Sequence, residues 1–274
     1  MIELKEMDKV RLSLLAEMIN TGSDEFSKKI KLDSLNIKQE LLYLNFAAVN
    51  NYAEAIFKLC LDMRPHPAIV ILRSIVESFI NTAYILTHNS DKRAVLFVME
   101  DSYYRNGLAN EIINFLNKHP QFENGRFNRK TLNEGITKTS EEIDFYKKRF
   151  KLNFKNKRDF ESNYHSKLIE RAKAVDRRIK NPNFEHTYIL VYRYFSEYGH
   201  LSMRGLDHFI KKDIVNGNHE IMAGQDNEVD HIISMTYTMY LFFLSQLKKR
   251  KMLSSKFPLQ KFDGYWKSEF NKTK

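Results

Sequence analysis

Apolar residues along the chain recur every three or four positions, the spacing of one face of an α-helix. The TGSD stretch at 21–24 predicts a turn after the first helix, and Pro65 and Pro67 end the second helix and suit the first turn of the third. No strand pair or internal repeat is convincing, so the pattern predicts an all-α multi-helix bundle of about seven or eight helices. The clearest predicted helices cover 8–20, 35–63, 68–87, 92–118, 184–211 and 228–249.

Residues 120–182 depart from this pattern. FENGRFNRKT is typical of turns, and KKRFKLNFKNKRDF places basic residues between phenylalanines. Only broken helices are predicted there, over 139–148 and 163–179. We therefore expect a single helical domain over 1–274, with 120–182 as a basic, partly irregular insertion or lobe within it.

Composition supports a helical, globular chain with an anionic partner. The 274 residues include only 9 Gly and 5 Pro, and the formal net charge is +10. The single cysteine, Cys60, excludes an internal disulfide and a multi-cysteine zinc site, and its apolar surroundings favour a buried residue over a nucleophile.

Nothing in the sequence favours a membrane location. The charged beginning MIELKEMDKV does not resemble a signal peptide. The segment 232–247 lacks charges, but it is short for a membrane span and its polar residues fit a buried helix better. We expect a cytoplasmic protein without a membrane partner.

The first candidate site is a narrow polar stripe on the helix that contains AIVILRSIVESFINTAYIL. Arg73, Glu77 and Asn81 repeat every four residues and therefore share one face. A solvated ion pair explains such a stripe, but the neighbouring small residues, Ser74 and Ser78, are more typical of a face that lines a groove or another helix.

The second candidate site lies in YRYFSEYGHL, residues 192–201. On an α-helix, Arg193, Ser196, Glu197 and His200 fall on one side. An imidazole near its working pKa moves protons during attack of an RNA 2′-hydroxyl on the adjacent phosphate, and a guanidinium stabilises the resulting phosphorane.

Arginine, six residues and histidine is one permitted spacing of the Arg-x(4–6)-His motif of HEPN-type ribonucleases. The spacing arises easily by chance in a chain with many arginines and 9 histidines. Tyr194 also departs from the motif, which commonly has a polar residue after the arginine. The alternative is a structural His200, hydrogen-bonded to Glu77 or to a tyrosine inside the bundle.

The two segments together resemble a bacterial all-helical family catalogued as a domain of unknown function. An Arg-Ser-x-x-Glu segment there is matched by a later Tyr-x-x-x-Ser-x-x-x-His segment. The resemblance covers about residues 40–210, and it implies a HEPN-like architecture and an occurrence among mobile elements and phage-defence neighbourhoods. It also implies that the two polar stripes face each other. The residues that would form one catalytic site are Arg73, Glu77, Arg193, Ser196 and His200.

Other chemistries have less support. A carboxylate–histidine metal site needs more ligands than Glu77 and His200, and the neighbours Glu185 and His186 point to different helix faces. The sequence has no Gly-rich phosphate loop, Walker lysine, GxSxG or dinucleotide motif. We therefore expect no cofactor and no metal.

Two basic segments, 147–158 and 248–256, make RNA the expected partner. Cations that alternate with aromatics suit phosphate contacts and stacking of unpaired bases, although a solvated surface explains either segment alone. The function expected is a metal-independent endoribonuclease of HEPN type, acting as a homodimeric toxin or phage-defence effector, with an antitoxin or defence protein as a possible partner. The alternatives are a non-catalytic helical sensor or adaptor and a nucleotide-binding protein.

Overall fold

The structure is a computed structural model that describes residues 4–27, 35–88, 91–125, 127–165, 167–179, 183–193, 195–196, 210–212, 219–221 and 228–270. Helices dominate these residues, which confirms the predicted all-α multi-helix fold. Two helices, α8 and α10, continue directly as π-helices over Tyr188–Arg193 and Trp266–Phe270. The α-helices are α1 (Glu6–Phe26), α2 (Ile37–Leu61), α3 (Pro65–Leu86), α4 (Lys92–Lys118), α5 (Arg129–Arg149), α6 (Lys157–Asn163), α7 (Leu168–Asp176), α8 (Phe184–Thr187), α9 (Val229–Lys249) and α10 (Leu259–Tyr265).

A short strand pair, which the sequence pattern did not predict, joins β1 (Ile210–Lys212) to β2 (His219–Ile221). The two strands are antiparallel, with Ile210 opposite Ile221. The prediction of a helix over 184–211 is therefore wrong at its C-terminal end, and its first part is a π-helix as well as an α-helix. Strand pairing depends on contacts with the partner strand rather than on an apolar stripe along one segment, so helical periodicity does not register it.

The chain forms two compact units. The bundle unit consists of residues 1–83 and 172–274, and the hairpin unit consists of residues 84–171. The predicted insertion, 120–182, overlaps the hairpin unit over 120–171. Each unit has its own set of buried apolar side chains, described in turn below.

The core of the bundle unit lies where α1, α2 and α9 pack against one another. Each helix has buried residues at spacings of three and four, so that each contributes one continuous apolar face. In α2 the buried positions are Leu42, Phe46, Val49, Asn50, Ala53, Ile56 and Cys60. Burial, and secondarily the charge of Asp8, raises the pKa of the Cys60 thiol to about 12. The expectation of a buried Cys60 is confirmed.

The boundaries of α2 follow from local chemistry. Asn36 caps its N-terminus by accepting a hydrogen bond from the Gln39 backbone, and the Gln39 side chain bonds back to the Asn36 backbone. At the other end Met63 has a φ of 54°, a left-handed conformation that terminates the helix, and α3 begins at Pro65. The predicted break at the two prolines is confirmed.

The predicted turn at TGSD is wrong, because α1 continues through it to Phe26. Gly22 lies inside the helix, where a Cβ atom would come within 2.3 Å of the Tyr240 hydroxyl oxygen. That hydroxyl is buried and bonds Asn50, whose side chain also bonds Ser23. Glycine therefore serves here for close helix packing rather than for a turn.

Helix α3 is the most apolar of the described helices, and Ile75, Val76 and Ile80 are fully buried in it. Within the bundle unit, the Phe79 ring stacks on Phe184 at 4.7 Å between centroids and meets Phe242 edge-on at the same distance. Among the described helices, α3 is the one that is long and apolar enough to cross a bilayer. More than half of that apolar window is buried within the protein (56%), as in the core helix of a soluble protein.

The hairpin unit is built on α4 and α5, which run antiparallel. Ser102 bonds Glu142 at 3.1 Å, and Asn106 bonds Ser140 at 3.3 Å and Thr139. The predicted bounds of α4 are confirmed, whereas α5 is much longer than the helix predicted over 139–148. Asn128 caps the start of α5 by accepting a hydrogen bond from the Thr131 backbone. The turn-like composition of 122–131 obscured this capping signal.

Gly22→Ala tests the packing of α1 on α9. Alanine favours a helix over glycine by about 1 kcal/mol, yet we expect a net loss of about 1–3 kcal/mol in unfolding free energy, because the new methyl group overlaps the hydrogen-bonded Tyr240 hydroxyl. Urea denaturation measures this loss in unfolding free energy. Combined with Tyr240→Phe, which removes that oxygen, Gly22→Ala should cost less than it does alone.

Gly135→Ala is the matched control, since this helical glycine in α5 has no atom within 4 Å of its Cβ position. It should be neutral or should stabilise by up to about 1 kcal/mol. A Gly22→Ala protein as stable as this control would contradict the close approach of Tyr240.

Candidate functional site

The polar stripe on α3 lies in the bundle unit with its arginine half-buried and its carboxylate exposed. Arg73 and Glu77 are four residues apart and share a face, while Asn81 at the end of the stripe is buried. The opposite side of α3 packs into the core, so the apolar positions of the sequence dictate that this polar face points away from it.

Tyr192 joins the two members of the stripe. Its hydroxyl oxygen accepts a hydrogen bond from Arg73 Nη2 at 3.1 Å and donates to Glu77 Oε2 at 3.5 Å. The Arg73 guanidinium carbon also lies 4.7 Å from the centroid of the Tyr192 ring, a cation–π distance. The structure therefore brings the Arg-Ser-x-x-Glu segment together with the start of the Tyr-x-x-x-Ser-x-x-x-His segment.

The π-helix Tyr188–Arg193 sets the direction of the Tyr192 side chain. Tyr188 stacks on Tyr192, with ring centroids 5.3 Å apart and planes inclined by 21°. In a π-helix the backbone bonds residue i to i+5, so each residue turns through a smaller angle than in an α-helix, and such turns often occur at functional sites. Helical periodicity alone did not single out Tyr192 for the catalytic set.

The predicted catalytic residues meet only in part. Arg73 and Glu77 are linked through Tyr192, and Ser196 donates a hydrogen bond to the Tyr192 backbone carbonyl. Arg193 is exposed and forms no hydrogen bond or ion pair with any residue that the structure describes. His200 lies outside the described residues, so its position beside Arg193 and Glu77 stays a prediction.

A charged groove of about 700 Å³ opens directly before the π-helix. Asp176 accepts from the backbone nitrogens of Phe184 and Glu185 and so caps the start of α8, which fixes one wall. Lys173 pairs with Glu185 at 3.4 Å. Sequence reasoning missed this groove, because its lining comes from α7 and α8, whose packing no local pattern reveals. The lining residues are Lys173, Asp176, Arg177, Asn183, Glu185, His186 and Ile189.

Within the described ranges, no three His, Cys, Asp or Glu side chains lie close enough together to hold an ion. The chemistry that the cluster offers by itself is that of a guanidinium, a phenol hydroxyl and a carboxylate in one hydrogen-bonded row.

The basic segments predicted to bind RNA differ in what they expose. In 147–158 most of the cations are exposed, but Phe150 and Phe154 are half-buried, and Phe160, which closes the aromatic-basic run, is 1% exposed. In 248–256, the Lys248 ammonium donates hydrogen bonds to the backbone carbonyls of Ser254 and Ser255, which belong to the same segment. The rings of Phe150, Phe154 and Phe160 therefore serve mainly to pack the hairpin unit.

These features define a helical protein whose polar cluster is assembled from two separate segments. The chain belongs to the family of unknown function DUF5677, whose model matches residues 39–219. The matched range contains both segments of the cluster and confirms the resemblance to a domain of unknown function. No protein of curated function matches the chain, and no solved structure matches it.

Tyr192→Phe tests the cluster. The substitution removes the hydroxyl that bonds Arg73 and Glu77 but keeps the ring under the guanidinium, so we expect a loss of about 1 kcal/mol in unfolding free energy. Urea denaturation of Tyr192→Phe, Arg73→Met and the double variant should show the two losses to be non-additive.

Tyr188→Phe is the control, because the Tyr188 hydroxyl makes no hydrogen bond to a described residue. It should leave stability unchanged within about 0.5 kcal/mol. Additive losses for Arg73 and Tyr192 would show that the two side chains do not interact in solution.

Proposed function

We propose that this protein is a metal-independent endoribonuclease of HEPN type that acts in the cytoplasm as a toxin or phage-defence effector. The observation that supports the proposal is the contact of Arg73 and Glu77 with Tyr192, because it joins the two segments that the catalytic hypothesis requires to be neighbours. Arg193 and Ser196 follow Tyr192 within one turn, and His200 is eight residues beyond it.

In this mechanism His200 removes the proton from an RNA 2′-hydroxyl, and the oxygen attacks the adjacent phosphorus. The bond from phosphorus to the 5′-oxygen then breaks, and that oxygen takes the proton from the His200 imidazolium, which returns to the neutral imidazole. The products are a 2′,3′-cyclic phosphate and a 5′-hydroxyl. Arg193 holds the negative charge that develops on the phosphorane, since a guanidinium stays ionised and presents several donors.

Arg73, Glu77 and Ser196 are positioning residues in this proposal. Tyr192 fixes Arg73 face-on and connects it to Glu77, so the π-helix is held against α3. A helix segment held in this way presents Arg193 in a defined direction, which is what catalysis by positioning requires.

RNA is the proposed substrate, and two copies of the chain would bring two such sites together. The net charge of +10 supports an anionic partner, and Lys173 and Arg177 add cations to the groove that extends to Ile189 of the π-helix. An antitoxin or another defence protein is the proposed partner that restrains the activity.

The test is cleavage of purified RNA by purified protein in the presence of EDTA, with the new ends identified by mass spectrometry. We expect cyclic phosphate ends, and a loss of activity of about 100-fold or more for His200→Ala and for Arg193→Ala, because each removes one catalytic group. His165→Ala, at an exposed histidine of the hairpin unit, is the matched control and should cleave normally.

His186→Ala sharpens the assignment, since this exposed histidine also lies seven residues from Arg193. Loss of cleavage in His186→Ala but not in His200→Ala would transfer the acid–base role to His186. Intact RNA with the wild-type protein, together with His200→Ala as toxic to cells as wild type, would rule out the ribonuclease.

A second candidate function is a non-catalytic sensor or adaptor. The stacking of Arg73 on Tyr192 favours it, because a guanidinium used to tie two helices together has a structural role without any substrate. Under this alternative His200→Ala lowers unfolding free energy by about 1–3 kcal/mol and changes no RNA. A thermal-shift screen with nucleotides distinguishes a nucleotide-binding protein from an adaptor.

A further inference from the structure

Among the residues that the structure describes, the exposed phenylalanines all lie in the hairpin unit. Four described phenylalanines have at least a third of their surface exposed, and all four lie between residues 115 and 145: Phe115, Phe122, Phe127 and Phe145. Large apolar side chains are normally buried, so a group of exposed rings in one unit indicates a binding surface.

Three of these rings surround one pocket. Phe115 and Phe122 have ring centroids 5.6 Å apart, and with Phe127 they line a space of about 290 Å³. This volume lies near the lower end for small-ligand pockets, and it suits one flat ring system rather than a helix or an extended peptide. The phenylalanine pocket is lined by Ile112, Phe115, Leu116, Phe122, Asn124 and Phe127.

The loop that carries two of the rings is held in place by hydrogen bonds. Asn124 accepts from the Phe127 backbone at 3.0 Å through its side chain and donates to the Phe122 carbonyl at 3.2 Å. Arg129 bonds Glu123 in the loop and Asn117 on α4. A pocket fixed before binding loses less conformational entropy when a ligand enters.

Exposed cations stand on both sides of this pocket along the chain. Lys118 lies one helical turn after Phe115, and Lys130 lies three residues after Phe127. The hairpin unit as a whole has 17 Lys and Arg against 12 Asp and Glu. An aromatic pocket with exposed lysines close to its lining residues in the sequence suits a ligand that is a flat ring attached to phosphates.

We propose that the phenylalanine pocket binds an unpaired base of single-stranded RNA, with Lys118 and Lys130 contacting the flanking phosphates. The inference rests on the proposed function for the identity of the polynucleotide. It assigns base stacking to this pocket rather than to the basic run 147–158, because Phe160 beside that run is buried and Phe154 packs edge-on against it at 5.5 Å.

The test is fluorescence anisotropy of the full chain with a labelled 2′-O-methyl oligouridine. This probe has no 2′-hydroxyl, so it reports binding whether or not the protein cleaves RNA. Phe122→Ala combined with Phe127→Ala should weaken binding by about tenfold or more, since each stacked base contributes a factor of that order. Phe122→Trp combined with Phe127→Ala should restore binding relative to the double alanine variant, because tryptophan supplies a larger aromatic face.

Three controls separate stacking from other effects. Phe145→Ala removes an exposed ring of the same unit that does not line the pocket, and it should bind as wild type does. An abasic oligonucleotide should bind the wild type and the double alanine variant equally and weakly. Lys118→Glu with Lys130→Glu should reduce the dependence of affinity on salt.

Equal affinity of the wild type and the double alanine variant for oligouridine would overturn the proposal. A dimer in solution that dissociates in the double alanine variant, with RNA binding unchanged, would instead identify the pocket as a surface for a second copy. Pocket-dependent binding without any RNA cleavage would support the pocket and reject the ribonuclease, so the two failures are distinguishable.

Discussion

The contact between the Arg73 guanidinium and Tyr192 is the interaction on which any function of the cluster depends. Stacking of a cation on an aromatic ring contributes about 0.5–2 kcal/mol, according to how far water is excluded. Its larger effect is geometric. It holds the π-helix Tyr188–Arg193 against α3, with the Tyr192 hydroxyl at Glu77. The Arg73–Tyr192 contact would position catalytic groups in a nuclease and would stabilise the fold in a structural adaptor.

The two units differ in how completely they bury their aromatic side chains. The bundle unit buries rings such as Tyr237, Tyr240 and Phe243 completely, as a core of packed helices requires. The hairpin unit has fewer buried positions on α5 and leaves phenylalanines exposed beside cations. Exposed aromatic surface lowers solubility and stability unless something binds it. The exposed rings are thus a feature of the hairpin unit, and the polar cluster is a feature of the bundle unit.

The family match places both segments of the cluster within residues 39–219, while α1 and α9, which complete the core of the bundle unit, lie outside that range. The matched region therefore depends on flanking helices for its apolar burial. Tyr240 of α9 illustrates this, since its hydroxyl bonds Asn50 of α2, inside the matched range. The core that supports the cluster thus combines helices from inside the matched range, α2 and α3, with helices from outside it.

Helical periodicity by itself determined the long helices α1 to α4 and α9 in outline, because an apolar stripe every three or four residues has few other stable arrangements. It gave the bounds of α4, the break at Pro65 and the shared face of Arg73 and Glu77. Tertiary structure decided the rest. Gly22 lies inside a helix at a point where Tyr240 approaches its backbone, Tyr192 meets Arg73 from 119 residues away, and Phe122 and Phe127 stay exposed although they are apolar. Each of these depends on which distant side chain fills the neighbouring space, and local propensity carries no information about that.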